Sequence, residues 1–346
     1  MTDRPIRAAV LAAAFLAVLT GLFGCPVIVR NDKGHTYHRE EPVSGQTYEL
    51  YVPSTYTADR AWPLVVTCHG TPPFDTAKLQ VREWTDLAER RGLIIAAPVL
   101  KGTRARTDAS PKTVDQQIEL QRYDEQTILA AVNHVRAGYR IDEGKVFLTG
   151  WSAGNYAVLW TGLNHPEIFR AMAVRQGNFD AKFVTPLESK LSDQQQVMVF
   201  YGQVDLLRSQ AKNCIRWLKE HGATVFSDEV FGAHHRVPDL AYRYFDGISR
   251  GSPWFVARYE PGWAGEPLTV RLWARTDPPT ESVEWHLGDG KVARGRSVTH
   301  TYARGGTYDV TVRADFGKKA TLERRLRVAV APASVRVAPA SQPLRN

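Results

Sequence analysis

The stretch Lys145-Val146-Phe147-Leu148-Thr149-Gly150-Trp151-Ser152-Ala153-Gly154-Asn155-Tyr156-Ala157-Val158-Leu159 decides the fold. It opens with a short apolar run of strand length, Lys145–Thr149. It then passes through a G-x-S-x-G pentapeptide, Gly150–Gly154, into a helical run, Ala153–Leu163. A sharp strand-to-helix turn crowds its own neighbours, and glycine alone allows close approach on both flanks. Such a turn lifts the Ser152 hydroxyl above the sheet, and the start of the helix aims backbone N–H groups at it. Ser152 is therefore the candidate nucleophile, with Gly150 and Gly154 as the glycines of its elbow. A glycine-rich turn without chemistry is the alternative.

Outward from this stretch the chain alternates short apolar runs with longer amphipathic ones. Strands are predicted over Thr47–Val52, Leu64–Cys68, Leu93–Ala97, Ala171–Val174, Val197–Tyr201 and Val225–Val230. Helical patterns lie over Val81–Arg91, Tyr123–Ala137, Ser209–Glu220 and Leu240–Ile248. Strands alternating with helices of this length imply βαβ units and a doubly wound, mainly parallel sheet covered on both faces.

A serine hydroxyl is a weak nucleophile and needs a base, which a carboxylate orients. On an elbow of this kind the acid and then the histidine follow the serine in the chain. Asp205 lies just past the run Val197–Tyr201, where the carboxyl edge of the sheet gathers ligands of open α/β folds. A helix cap is the other reading for an Asp there. Asp180 and Asp228 are rivals, but neither follows a predicted core strand. The base should come from the loop after the last strand, where Gly232-Ala233-His234-His235-Arg236-Val237-Pro238 offers two adjacent histidines. Neighbouring side chains point apart, so one faces Ser152 and the other does not; local geometry does not choose. His134 and His165 sit in or just beyond helical runs and read as bystanders. An oxyanion hole needs two donors. The Ala153 N–H is one. The other comes from His69-Gly70-Thr71-Pro72-Pro73, in which the prolines have no N–H, leaving Gly70 or Thr71.

The chain has 346 residues, enough for two cores, with 43% hydrophobic and 23% charged residues. Its formal charge of +8 comes from scattered arginines rather than a basic block with interleaved aromatics. Nucleic-acid binding is not indicated. No metal-ligand spacing is present, and the chemistry outlined needs no cofactor. Residues 1–25 differ from the rest: Arg4 and Arg7 precede an apolar stretch, Ala8 to Phe23, that ends at Gly24-Cys25. A basic start and an apolar run of this length read as an export signal, shorter than the roughly 20 apolar residues that a membrane span needs. Residues 26–45 read as a tether. Export permits disulfides, but Cys68 and Cys214 fall in a predicted buried strand and a predicted helix and are expected to be free thiols.

The stretch Leu22-Phe23-Gly24-Cys25 resembles a bacterial lipobox, which implies a diacylated Cys25 and a lipoprotein anchored to a membrane in the periplasm or at the cell surface. The segments Trp62-Pro63-Leu64-Val65-Val66, His69-Gly70, Val146–Gly154 and His165-Pro166-Glu167-Ile168-Phe169 resemble polyhydroxybutyrate depolymerases and feruloyl-esterase-type hydrolases over about residues 46–245. The resemblance implies an α/β-hydrolase fold over 46–250 and carboxylic-ester hydrolysis through an acyl-enzyme. The histidine loop of that family is Gly-x-x-His-x-x-Pro, which falls on Gly232, His235 and Pro238 and so selects His235 as the base. The chain departs from the family at Asn155, where a second glycine is usual, and at Thr71-Pro72-Pro73.

Near residue 251 the pattern changes. After the punctuation of Ser252-Pro253 and Pro261-Gly262 come only short alternating runs: Leu268–Trp273, Ser282–Leu287, Tyr308–Ala314 and Leu322–Val330. This predicts a small β-sandwich over 251–330, followed by an Ala/Pro/Ser/Val-rich tail, 331–346. Trp285-His286-Leu287-Gly288-Asp289-Gly290, His300-Thr301-Tyr302 and Gly306-Thr307-Tyr308-Asp309-Val310 resemble a PKD domain. That implies an immunoglobulin-like module that spaces the enzyme from a surface or contacts glycans or proteins. The leading expectation is an esterase acting on polymer- or polysaccharide-attached esters with Ser152, Asp205 and His235. A peptidase on the same fold and a catalytically inactive surface-binding lipoprotein are the alternatives. Dedicated peptidases of this type usually carry an extra domain or lid over the site, and no long insertion is evident.

Overall fold

The computed structural model describes residues 33–103, 113–191, 195–250, 253–262, 265–278 and 280–330. Cys25, the leader and the last sixteen residues lie outside them.

Eight strands form one sheet: β1 His35–Glu40, β2 Thr47–Val52, β3 Trp62–Cys68, β4 Ile94–Pro98, β5 Ile141–Trp151, β6 Ala171–Arg175, β7 Gln196–Gly202 and β8 Thr224–Val230. Their order across the sheet is β1-β2-β4-β3-β5-β6-β7-β8. From β4 to β8 all neighbours are parallel, and β1 and β2 add an antiparallel edge. Among the described residues, five α-helices accompany this sheet: α1 Ala77–Arg91, α2 Val114–Gly138, α3 Gly154–Asn164, α4 Arg208–Glu220 and, after β8, α5 Pro238–Arg250.

The central strands read as unbroken apolar runs because both of their faces are buried. Successive side chains alternate across a strand. Leu64, Val66, Ile94, Ala96, Val146 and Leu148 therefore join one core, with Ile128 and Val132 of α2, Val158 of α3 and Cys214 of α4. Val65, Ile95, Ala97 and Phe147 join the other, with Val81 and Trp84 of α1 and Phe245 of α5. Phe147 and Phe245 stack with ring centroids 4.5 Å apart. Each such fully buried aliphatic or aromatic side chain contributes roughly 1.5–3 kcal/mol. Thr76 caps α1 through its hydroxyl, and Gly92 ends that helix with φ 68°, the left-handed turn that glycine adopts without strain. The two thiols, Cys68 and Cys214, are buried and free.

The C-terminal unit packs two antiparallel sheets. One is β13-β10-β9 and the other is β12-β11-β14-β15. The strands are β9 Trp254–Glu260, β10 Thr269–Asp277, β11 Val283–His286, β12 Val292–Arg294, β13 Ser297–Thr301, β14 Gly306–Asp315 and β15 Thr321–Val330. Between them lies a separate core around Trp285, whose indole N–H donates to the Gly295 carbonyl at 2.8 Å. Strand β9 falls where the sequence shows linker punctuation; it exists because it pairs along its whole length with β10. The two units are stapled by arginines. Arg258 donates to the Asn164 carbonyl at 2.8 Å and pairs with Glu167 at 2.8 Å, and Arg275 donates to the Ile168 carbonyl at 3.0 Å.

Candidate active site

Strand β5 ends at Trp151, and Ser152 follows with φ 54°, a left-handed conformation that a non-glycine residue adopts only under constraint. The constraint is steric. A Cβ on Gly150 would lie 2.8 Å from Val158 Cγ2, and one on Gly154 would lie 2.4 Å from the Cys68 carbonyl oxygen. Both positions need glycine, as the pentapeptide predicts. The elbow is braced from below by Asn155, which is fully buried. Its Nδ2 donates to the Ser152 carbonyl at 3.0 Å and the Arg175 carbonyl at 3.1 Å, and the Ser152 N–H donates to Arg175 O at 3.2 Å. The sequence marks Asn155 only as a departure from a family pattern; the structure makes it the strut of the turn.

Asp205 sits three residues beyond β7, buried at the carboxyl edge of the sheet. Its Oδ1 accepts from the Leu207 N–H at 2.8 Å, which fixes the carboxylate. Its Oδ2 lies 2.8 Å from His234 Nδ1; the Asp205 side chain is 1% exposed and that of His234 31%. A buried carboxylate against Nδ1 places the proton there and leaves Nε2 as the acceptor. The Asp180 and Asp228 alternatives go elsewhere. Asp180 caps a short 3₁₀ turn and pairs with Lys182, and Asp228 lies exposed within β8.

The histidine loop corrects the expectation of His235 as the residue that Asp205 holds. The His235 N–H donates to Gln176 Oε1 at 2.8 Å, and its carbonyl accepts from the Trp151 indole at 3.1 Å. With its backbone pinned on both sides, the His235 ring folds back over Gly232: a Cβ there would sit 2.4 Å from His235 Nε2. The adjacent side chain, His234, points the other way, to Asp205. Its ring lies 4.7 Å from that of Trp151, the residue before the serine. The Gly232 of the Gly-x-x-His-x-x-Pro pattern thus makes room for His235 without bringing that ring to the acid.

The second expected oxyanion donor is narrowed in the same way. The Gly70 N–H is taken by Asp75 Oδ2 at 2.6 Å, which leaves Thr71 as the donor candidate in that loop. The loop is held at its base by His69, buried, with Nδ1 2.8 Å from the Gly70 carbonyl and Nε2 accepting the Leu100 N–H at 3.0 Å. Ala153 is buried at the head of α3, directly after the serine. Sequence reasoning also missed a polar cluster behind the elbow. Arg175 and Asp75 are fully buried there, and Glu83 and Arg236 complete it. An arginine ending an apolar strand gives the one hint of it in the sequence.

The loops that carry this constellation expose apolar side chains. Phe74, Val204, Leu206 and Phe231 are exposed, and all four belong to loops that follow β3, β7 and β8, the loops that carry the oxyanion segment, Asp205 and His234. Among the described residues no group of three or more His, Cys, Asp or Glu is arranged to hold a metal ion, and no helix is long and apolar enough to cross a membrane.

Comparison with known proteins fits this architecture. Residues 80–200 match the prolyl oligopeptidase family, and residues 258–330 match the PKD domain. A search of curated proteins found no match. Among solved structures, a ferulic acid esterase from Anaeromyces mucronatus is 14% identical, with 62% of this chain and 88% of that one covered and a TM-score of 0.49. An S-formylglutathione hydrolase from Staphylococcus aureus is 14% identical, covering 64% and 98%, with a TM-score of 0.44. A protein described as a dipeptidyl aminopeptidase IV from Bacteroides ovatus is 16% identical with a TM-score of 0.46; 61% of this chain is covered, and the match spans only 35% of that longer protein. The chain thus joins a serine-hydrolase unit of the α/β-hydrolase type to a C-terminal all-β module that matches the PKD domain.

Proposed function

We propose that the protein hydrolyses carboxylic esters through an acyl-enzyme, with Ser152 as nucleophile, His234 as base and Asp205 as the carboxylate that orients it. The observation that carries the reading is the contact of buried Asp205 with half-buried His234 at 2.8 Å, on the same sheet edge as a serine held at φ 54°. His234 takes the Ser152 proton as Oγ attacks the ester carbonyl, and Asp205 stabilises the imidazolium that forms. The Ala153 and Thr71 amides receive the oxyanion. His234 then protonates the leaving alcohol and activates the water that releases the acid.

The exposed apolar side chains of Phe74, Leu206 and Phe231 support esters with an apolar acyl group or attached to a polymer surface, which such side chains can meet as they stand. The match of residues 80–200 to the prolyl oligopeptidase family favours a second reading, peptide cleavage by the same residues. A fluorophosphonate probe followed by a panel of p-nitrophenyl esters and peptide anilides separates them. The proposal expects labelling that disappears in Ser152→Ala and turnover confined to esters. Labelling with turnover of anilides alone would establish the peptidase; absence of labelling in folded protein would leave a binding module.

Anchoring through a lipidated Cys25, export of the chain and a spacing or glycan- or protein-contacting role for the C-terminal module complete the proposal. Cys25→Ala should move the protein from the membrane to the soluble fraction, because two acyl chains bind a bilayer far more firmly than one.

A further inference from the structure

Four charged side chains from three separate parts of the chain meet behind the elbow. Arg175 at the end of β6 pairs through Nη1 with Glu83 of α1 and donates from the same nitrogen to the Arg236 carbonyl at 2.8 Å. Its Nη2 donates to Gln80 Oε1 at 2.7 Å and Thr67 Oγ1 at 3.1 Å. Arg236, two residues past His234, donates from Nη1 to Asp75 Oδ1 at 2.8 Å and Glu83 Oε2 at 3.2 Å, and from Nη2 to the Phe74 carbonyl at 3.3 Å. Asp75 closes the set: its Oδ2 takes the Gly70 N–H at 2.6 Å and Gln80 Nε2 at 2.7 Å.

The cluster holds two cations and two anions, so its charge balances, which is the condition for burying such groups at all. Its placement is specific. Asp75 grips the N–H of Gly70, the residue before Thr71, in the loop that follows β3, while Arg236 belongs to the loop that follows β8. Strands β5, β6 and β7 separate these two in the sheet, so no ladder hydrogen bond sets one loop against the other. Arg236 also lies 4.2 Å above the Trp151 ring, the same ring that packs on His234 and donates to the His235 carbonyl.

We propose that Asp75 and Arg236 are positioning residues that lock the loop bearing the base to the loop bearing the oxyanion donor, so that both halves of the site are set as one unit. The inference rests on the Ser152–His234–Asp205 reading. Without the lock each loop still folds on its own strand, but the distance between general base and oxyanion donor is no longer fixed, and the loss falls on the transition state rather than on substrate binding.

The test uses full-length protein, a p-nitrophenyl ester and kcat normalised to sites titrated by a fluorophosphonate, which removes any loss that is merely unfolded protein. Arg236→Met and Asp75→Asn should each lower kcat per titrated site about 30- to 100-fold, short of the loss of a whole oxyanion donor, with KM changed less than about threefold. Arg236→Lys, which keeps the charge toward Asp75, should recover about tenfold of that loss. The double variant should be no worse than the poorer single one, as expected of residues that act as a unit. If either single variant keeps kcat per site within about threefold of the parent, or if KM carries the whole effect, the lock is overturned. Should Arg236→Met fail to fold, Asp75→Asn decides by the same criterion. Ser152→Ala run alongside keeps the two levels apart: full turnover there would overturn the nucleophile, whereas a dead Ser152→Ala with unaffected Arg236 and Asp75 variants would overturn the lock alone.

Discussion

Two imidazole–carboxylate pairs in this molecule have the same length and opposite meanings. His234 and Asp205 meet at 2.8 Å at the carboxyl edge of the parallel sheet; His300 and Asp289 meet at 2.8 Å in the C-terminal sandwich. In the first, the acid is bonded to Nδ1, its carboxylate is almost fully buried, and the ring lies 4.7 Å from that of Trp151, the residue before the serine. In the second, the bond is to Nε2, the ring packs edge-on against Tyr302 with centroids 4.5 Å apart, and Asp289 also receives the Lys291 N–H in a tight turn. That pair closes a loop. A third site, His165 between Glu125 and Glu167, at 2.8 Å from each, anchors the segment that the sandwich's arginines grip. On the proposed function, the first contact serves chemistry because a strained serine shares its edge of the sheet, which the other two lack.

The comparison can be broken in several places. Asp205→Asn should lower kcat/KM about 10³- to 10⁴-fold with little change in thermal stability, because the amide favours the wrong tautomer of His234. Stopped or steady-state assays on an activated ester measure it, and a loss of less than about tenfold would put the first pair in the same class as the second. Asn155→Ala attacks what His300 lacks, the elbow. It leaves the Ser152 and Arg175 carbonyls short of a donor and should cost about 1–3 kcal/mol of stability, read by denaturant unfolding, together with a fall in kcat.

His165 offers a pH test. Burial opposes its charge, but the Glu125 and Glu167 carboxylates outweigh burial and hold its pKa at about 9. A histidine raised in the folded state stabilises fully below its ordinary value near 6.5, and that stabilisation is lost as pH rises through about 9. His165→Gln should therefore cost up to about 2 kcal/mol near pH 6 and progressively less by pH 10. A cost that does not vary with pH would show that the ring is held by packing alone. The smallest effect belongs to His300→Ala, about 0.5–1 kcal/mol of stability for an exposed turn contact with ester turnover within about twofold of the parent.

Much of this was legible in the residues. The runs that became β3 to β7 could be read because strands buried on both faces must be apolar throughout. The elbow could be read because sterics at Gly150 and Gly154 leave no other residue possible. Edge strands were harder: β1 has a mostly exposed pattern, and the apolar start of β9, Trp254–Ala257, is masked by the Ser252-Pro253 and Pro261-Gly262 punctuation on either side of it. The choice between His234 and His235 was hidden for a different reason. It depends on Gln176 and Trp151, which the chain brings to the histidine loop from elsewhere, and no local pattern encodes which of two adjacent rings those contacts turn away. The use of the Gly70 N–H by Asp75 was equally invisible, since it depends on the turn between them closing. The apolar sheet is written locally; the polar site is written in contacts between distant segments.

The most direct measurement of the central claim is kcat/KM for His234→Ala and His235→Ala side by side on one activated ester. The account predicts that His234→Ala loses about 10⁴-fold or more while His235→Ala, whose ring covers Gly232, stays within about tenfold of the parent. The reverse order, with His235→Ala inactive and His234→Ala near normal, would contradict it.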